Sequence, residues 1–87
     1  MYQLTFGKQF IKSAEKLDKK LKSKLKIGLD VLLQNPFDSG LHSKPLAGKL
    51  SGYYSFRLGR DYRVIFKFTS KKEIQLCDIG NRKDIYK

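Results

Sequence analysis

The chain has few of the residues that most often announce chemistry. Its 87 residues include one cysteine, one histidine, two prolines and no tryptophan. A lone Cys77 cannot form an internal disulfide, which excludes a disulfide-stapled secreted scaffold and fits a reducing compartment. It lies in the apolar run EIQLCDIG, where a small buried hydrophobe is expected rather than a nucleophile. His42 stands in the loop DSGLHSK without a cysteine or second histidine nearby, so neither a metal nor another cofactor is expected. No apolar run approaches the roughly 20 residues that span a bilayer, and the first residues have no signal-peptide core; a cytoplasmic protein with no membrane partner is expected. Acidic residues are scarce as well: eight Asp and Glu against nineteen Lys and Arg give a formal net charge of +11. So large an imbalance repels itself in the compact state. It points to nucleic acid or an RNA–protein particle first, an acidic protein second and a membrane surface third.

What is present is a globular composition, 40% hydrophobic and 13% aromatic, without repeats or linkers. One domain over residues 1–87 with a modest core is expected. YQLTF suits a short first strand. Phe6, Phe10, Ala14, Leu17, Leu21, Leu25, Leu29, Leu32 and Leu33 then recur at three or four residues, apart from the last pair, which predicts an amphipathic helical stripe. Lysines 8, 12, 16, 19, 20, 22, 24 and 26 occupy the other faces. One helix over residues 8–34 would run about 40 Å, longer than the ~30 Å diameter of a domain of this size. A helical hairpin turning near Leu17–Lys20 follows. NPFDSG ends the second helix, because Pro36 disfavours helical geometry at Asn35.

From Lys44 onward the period changes to two. Tyr54, Phe56 and Leu58 share one face, with Tyr53, Ser55 and Arg57 on the other; Tyr62, Val64, Phe66 and Phe68 oppose Arg63, Ile65 and Lys67. EIQLCDIG reads as a third strand covered on both sides and ending at Gly80. Gly59–Arg60 and Ser70–Lys71 are the expected hairpin turns. The fold class is α+β, in the order β-α-α-β-β-β: an antiparallel sheet with the helical hairpin packed on one face. Alternation puts Arg57 and Arg63 on the face away from the core. From Leu41 onward eleven Lys and Arg stand against four Asp and Glu, a balance of +7. Arginines on rigid strands suit phosphate, because the guanidinium fork binds it in two places. The alternative is that Asp61, Asp78 and Asp84 neutralise them. Arg82 and Tyr86 follow the last strand by one short turn, within side-chain reach of that face, and a tyrosine beside phosphate donates its hydroxyl or stacks on a base.

The run LAGKLSGYYSFRLGRDYRVIFKF (Leu46–Phe68) followed by IGNRKDIYK resembles the RelE/ParE superfamily of bacterial and archaeal toxin–antitoxin toxins. The resemblance spans nearly the whole chain. Its specific parts are the YRV strand and the G-x-R-K-D-x-Y ending, and the terminal arginine and tyrosine bring it closer to the RelE branch. It implies a RelE-like fold and a metal-independent, ribosome-dependent mRNA endonuclease. Such a toxin enters the ribosomal A site and cleaves the codon by in-line attack of a ribose 2′-hydroxyl on the adjacent phosphate. On that resemblance Arg63 binds the reacting phosphate, Arg82 stabilises charge and assists the leaving group, Tyr86 stacks on or orients the nucleotide, and Arg57 contacts the phosphate region. Lys44, Lys49, Arg60 and Lys83 complete an expected RNA-binding set. Ser55 stands where RelE carries a lysine and Asn81 where many relatives carry histidine. The general base is thus unassigned, with Lys49 as a candidate. The implied partners are the ribosome with its mRNA and an acidic antitoxin that wraps the toxin and supplies the operator-DNA contacts of the complex. The lysine-rich hairpin is expected to dock on ribosomal RNA. Two alternatives stay open: a ParE-like DNA gyrase poison without nuclease activity, and an RNA-binding domain without catalysis.

Overall fold

In the computed structural model, which describes residues 1–86, the elements run β1 (Gln3–Phe6), α1 (Lys8–Glu15), α2 (Lys19–Gln34), β2 (Lys44–Pro45), β3 (Tyr54–Leu58), β4 (Tyr62–Ser70) and β5 (Glu73–Asn81). Short 3-10 turns at Ser39–Leu41 and Gly48–Leu50 flank β2. The helical hairpin breaks at residues 16–18, overlapping the turn expected near Leu17–Lys20, in a molecule that measures 32 × 29 × 26 Å. Asp18 fixes the break by accepting the Leu21 N–H at 2.8 Å. Losing such a cap costs about 1 kcal/mol; Asp18→Ala is therefore expected to lower the unfolding free energy by that amount, read as a lower urea midpoint with an unchanged slope. At the other end Asn35 is extended (φ −156°, ψ 101°), as a residue before proline prefers.

The sheet order is β1-β5-β4-β3-β2. The β3–β4–β5 meander is antiparallel, as its periodicity predicts. The sheet as a whole is mixed rather than antiparallel, because β1 lies parallel to β5, Gln3 opposite Glu73 and Phe6 opposite Leu76. No tight turn joins these two strands, so chain connectivity does not force them antiparallel. A strand too short to read from periodicity, β2, adds the other edge, with Lys44 opposite Ser55. Phe6, expected to head the helical stripe, belongs instead to β1 and is 49% exposed. The stripe proper begins at Phe10.

One sheet face carries the core. Phe10, Leu17, Leu25 and Leu32 from the hairpin pack with Phe56, Leu58, Val64, Phe66, Ile74, Leu76 and Ile79. All eight hairpin lysines are exposed. Strand β5 is not the doubly covered strand its composition suggested. Phe66 faces Leu76 but Ile65 faces Asp78, so Cys77 is an extra residue, a β-bulge. The bulge switches the buried positions from Ile74 and Leu76 to Ile79, and the strand pairs through Asn81 rather than ending at Gly80. Among the described residues no helix is long and apolar enough to cross a membrane.

Candidate nucleic-acid interface

Register across the Gly59–Asp61 turn makes Arg57 and Arg63 direct cross-strand partners, with Gly80 on the other side of Arg63. Like charges directly opposite each other destabilise a strand pair, so this arrangement favours an anion between them. The two arginines differ in environment. Arg57 is exposed and borders a groove of about 390 Å³ shared with Lys24, Ile27, Leu58 and Gly59. Arg63, on the face expected to look away from the core, is only 9% exposed. Its Nη1 donates to the Arg60 and Tyr62 carbonyls at 3.0 and 2.9 Å, which fixes the guanidinium against the turn.

The carboxyl-terminal turn folds back toward the same place. The Arg82 N–H donates to the Asp61 carbonyl at 2.7 Å, and Arg82 Nε lies 3.8 Å from Asp61 Oδ1. Both side chains of that ion pair are about half exposed, so it contributes little to stability. Arg63 and Arg82 are thus anchored to one three-residue turn, and Asp61 is engaged by Arg82. Asp78 accepts instead from Ser13 Oγ and from the Ile79 N–H, both at 2.8 Å, tying α1 to β5.

Asn81 organises the turn. Its Oδ1 accepts the Lys83 N–H at 2.9 Å, and its carbonyl accepts the Asp84 and Ile85 N–H groups, also at 2.9 Å. Ile85 then lies over Gly80, where a β-carbon would come within 2.8 Å of Ile85 Cδ1. The fold-back brings Tyr86 to β3. Its hydroxyl is 3.0 Å from Ser55 Oγ, and Lys44 Nζ sits 5.6 Å from the ring centroid. Tyr86, Lys44, Leu46, Lys49 and Leu50 wall a cleft of about 380 Å³.

The candidate residues therefore form two adjoining groups. Tyr86, Lys44 and Lys49 line the cleft beside β2; Arg57, Arg63, Arg82 and Arg60 surround the β3–β4 turn. Ser55 and Arg57 link them, two residues or about 7 Å apart on the same face of β3. Lys83 is exposed on the carboxyl-terminal turn. Sequence reasoning did not assign Ser55 and Asn81 their roles in holding the tail. The cue available for Asn81 was its type, since Asn bonds the backbone two residues on. Ser55 gave no cue, because its partner is 31 residues away.

Cys77 is half-buried at the bulge, with Sγ donating to the Gln75 carbonyl at 3.5 Å. Burial raises its pKa above the ordinary 9.0; Lys67 opposes the rise and Asp78 adds to it. At pH 8 the native thiol is expected to react with iodoacetamide more slowly than the urea-unfolded thiol, as a stopped-time labelling series would read. Because the folded pKa is the higher one, this thiol's contribution to stability is complete below about pH 9 and is lost as pH rises through the folded value. His42 closes a 3-10 turn in the left-handed region (φ 52°). Among the described residues no three His, Cys, Asp or Glu side chains gather as metal ligands would.

No protein-family model matches the chain. Toxin YoeB of Synechocystis sp. is 30% identical over 54 residues, 62% of this chain; the match spans 63% of that relative's length, less than two thirds. Among solved structures, YafQ from E. coli strain BL21(DE3) superposes with a TM-score of 0.83 over 100% of both chains, at 21% identity. The archaeal RelE–RelB complex from Pyrococcus horikoshii OT3 gives a TM-score of 0.79 over 95% of this chain and 97% of the other, at 28% identity.

Proposed function

We propose that the chain is a member of the RelE/ParE superfamily, a reading supported by its fold and by its likeness to Toxin YoeB and the archaeal RelE, and that it is the toxin of a type II toxin–antitoxin system, a ribosome-dependent mRNA endonuclease of the cytoplasm. The observation that carries the reading is the cross-strand pair Arg57–Arg63, beside which the carboxyl-terminal turn delivers Arg82. Two like charges held opposite each other on a rigid sheet suit a phosphate whose charge grows in the transition state.

In the proposed reaction the 2′-hydroxyl of the mRNA attacks the adjacent phosphorus in line. The O–P bond forms as the bond to the 5′-oxygen breaks; the 2′-hydroxyl gives its proton to a general base, and the 5′-oxygen takes up a proton. Arg63 and Arg57 hold the non-bridging oxygens, Arg82 stabilises the developing charge and assists departure of the 5′-oxygen, and a base stacks on Tyr86. Lys44, Lys49, Arg60 and Lys83 hold the flanking backbone, and no metal ion takes part. Ser55 is engaged with Tyr86 and Asn81 with the terminal turn, so neither serves as base. Lys49 on the cleft wall is the candidate. Rate enhancement then rests chiefly on arginine electrostatics and on the positioning of the mRNA by the ribosome.

A charge of +11 favours an acidic antitoxin as partner, as does similarity to the protein found in the RelE–RelB complex. That antitoxin would supply the operator-DNA contacts. The exposed hairpin lysines suit ribosomal RNA, and binding there should weaken steeply with salt. Primer extension on mRNA from cells expressing the protein decides the matter: cuts in codon phase are expected. An SOS response without cuts would replace the reading with a gyrase poison, and ribosome binding without cuts with a non-catalytic RNA-binding domain.

A further inference from the structure

Ser55 has an almost fully buried side chain, 1% exposed, on the face of β3 that the carboxyl-terminal turn covers. A buried hydroxyl needs a hydrogen-bond partner. A tyrosine near a chain terminus needs a fixed point, because terminal turns fray. The 3.0 Å bond between Ser55 Oγ and the Tyr86 hydroxyl, in which either group can donate, meets both needs.

The backbone leading to Tyr86 is held by contacts already described: Arg82 N–H on the Asp61 carbonyl, Lys83 N–H on Asn81 Oδ1, and Ile85 on Gly80. These place the turn but leave the tyrosine ring free to rotate about its side-chain bonds. The hydroxyl bond removes that freedom. The ring then stands as one wall of the 380 Å³ cleft, with Lys44 Nζ 5.6 Å from its centroid and Lys49 on the same cleft. An aromatic wall with Lys44 over one face of the ring and Lys49 on the same cleft is chemistry for a nucleotide: the base stacks on the other face and the lysines meet its phosphates.

Resting on the reading of Tyr86 as the base-stacking residue, we propose that Ser55 is its positioning residue. Ser55 sets the ring plane before RNA arrives, so that less side-chain freedom is lost on binding. Its hydroxyl does no proton transfer; it acts only through Tyr86.

The test uses the full-length protein and a labelled single-stranded hexanucleotide with 2′-deoxy sugars, which lacks the attacking hydroxyl. Ser55→Ala should weaken its binding by about three- to tenfold, the scale of one net hydrogen bond. Tyr86→Phe should weaken it equally, and the double variant no further, because both changes delete the same bond. Ser55→Thr, which keeps the hydroxyl and suits a strand, should bind within about twofold of the wild type. In ribosome-dependent cleavage Ser55→Ala should raise KM more than it lowers kcat. Wild-type affinity in Ser55→Ala, additive losses in the double variant, or no affinity of the wild type for the oligonucleotide overturns the assignment. A wild type that cleaves while Ser55→Ala matches it in KM removes the assignment and keeps the enzymatic reading. The expected binding pattern without any mRNA cleavage does the reverse.

Discussion

On the proposed function, Arg63→Ala should lower ribosome-dependent cleavage by roughly 10²- to 10³-fold, the range seen when one preorganised donor to a developing oxyanion is removed. The expectation follows from Arg63 being only 9% exposed, held by two carbonyls, and opposite Arg57. A guanidinium fixed in this way does not reorganise during the reaction, and scarcity of competing water strengthens its field. The same bonds give Arg63 a structural share, since alanine leaves the Arg60 and Tyr62 carbonyls without this donor. Arg63→Lys separates the two contributions. It keeps the charge but not the fork geometry, and is expected to fall between the wild type and alanine in cleavage. The measurement is single-turnover cleavage on programmed ribosomes, with urea midpoints recorded for each variant. If Arg63→Ala and Arg82→Ala both remain as growth-inhibitory as the wild type, the catalytic assignment is wrong.

The second large effect concerns the platform beneath the site. Phe56→Ala is expected to cost about 3–5 kcal/mol, a major share of the roughly 4–13 kcal/mol available to a chain of this length. Phe56 is fully buried, its ring 6.1 Å from that of Phe66. It also sets the seat of α2 on β3: a β-carbon at Gly28 would lie 3.1 Å from Phe56 Cε1, so the helix backbone approaches the ring directly. Removing the ring leaves a cavity under the helix that the sheet, held by its ladder, has little freedom to close. Urea denaturation reads the loss. A change below about 1 kcal/mol, the scale of an ordinary single substitution, would mean that α2 does not rest there.

The helical stripe from Phe10 to Leu32 and the alternation in β3 and β4 were legible because each is a local period, and each turns the residues it marks toward the core. The Arg57–Arg63 facing pair was legible for the same reason, since alternation across a tight turn fixes which side chains share a face. The parallel docking of β1 on β5 was not, because no short-range signal records a partner about 70 residues away. Nor was the bulge: LCDI is apolar enough in either phase to conceal one inserted residue. The arginines and Tyr86 drew notice through their types and through the family resemblance. Their division into a turn cluster and a cleft depends on Asn81, Gly80 and Ser55, which shape the tail through backbone bonds and close approach rather than through any pattern along the chain.

The odd residue at Cys77 has a consequence for which changes in length the molecule can absorb. Pleating gives each step along a strand a reversal of direction; because Leu76 already faces Phe66 and Asp78 already faces Ile65, excising this one position would restore strict alternation and keep the sides of all that follows. Ile79 would still face Val64 and Gly80 would still face Arg63. Lys71 and Lys72, at an exposed loop tip, should accept an added residue easily. Deleting Ile79, on the regular stretch beyond the bulge, would instead slip Gly80 opposite Val64 and, on the proposed function, is expected to abolish toxicity while every arginine remains in the chain.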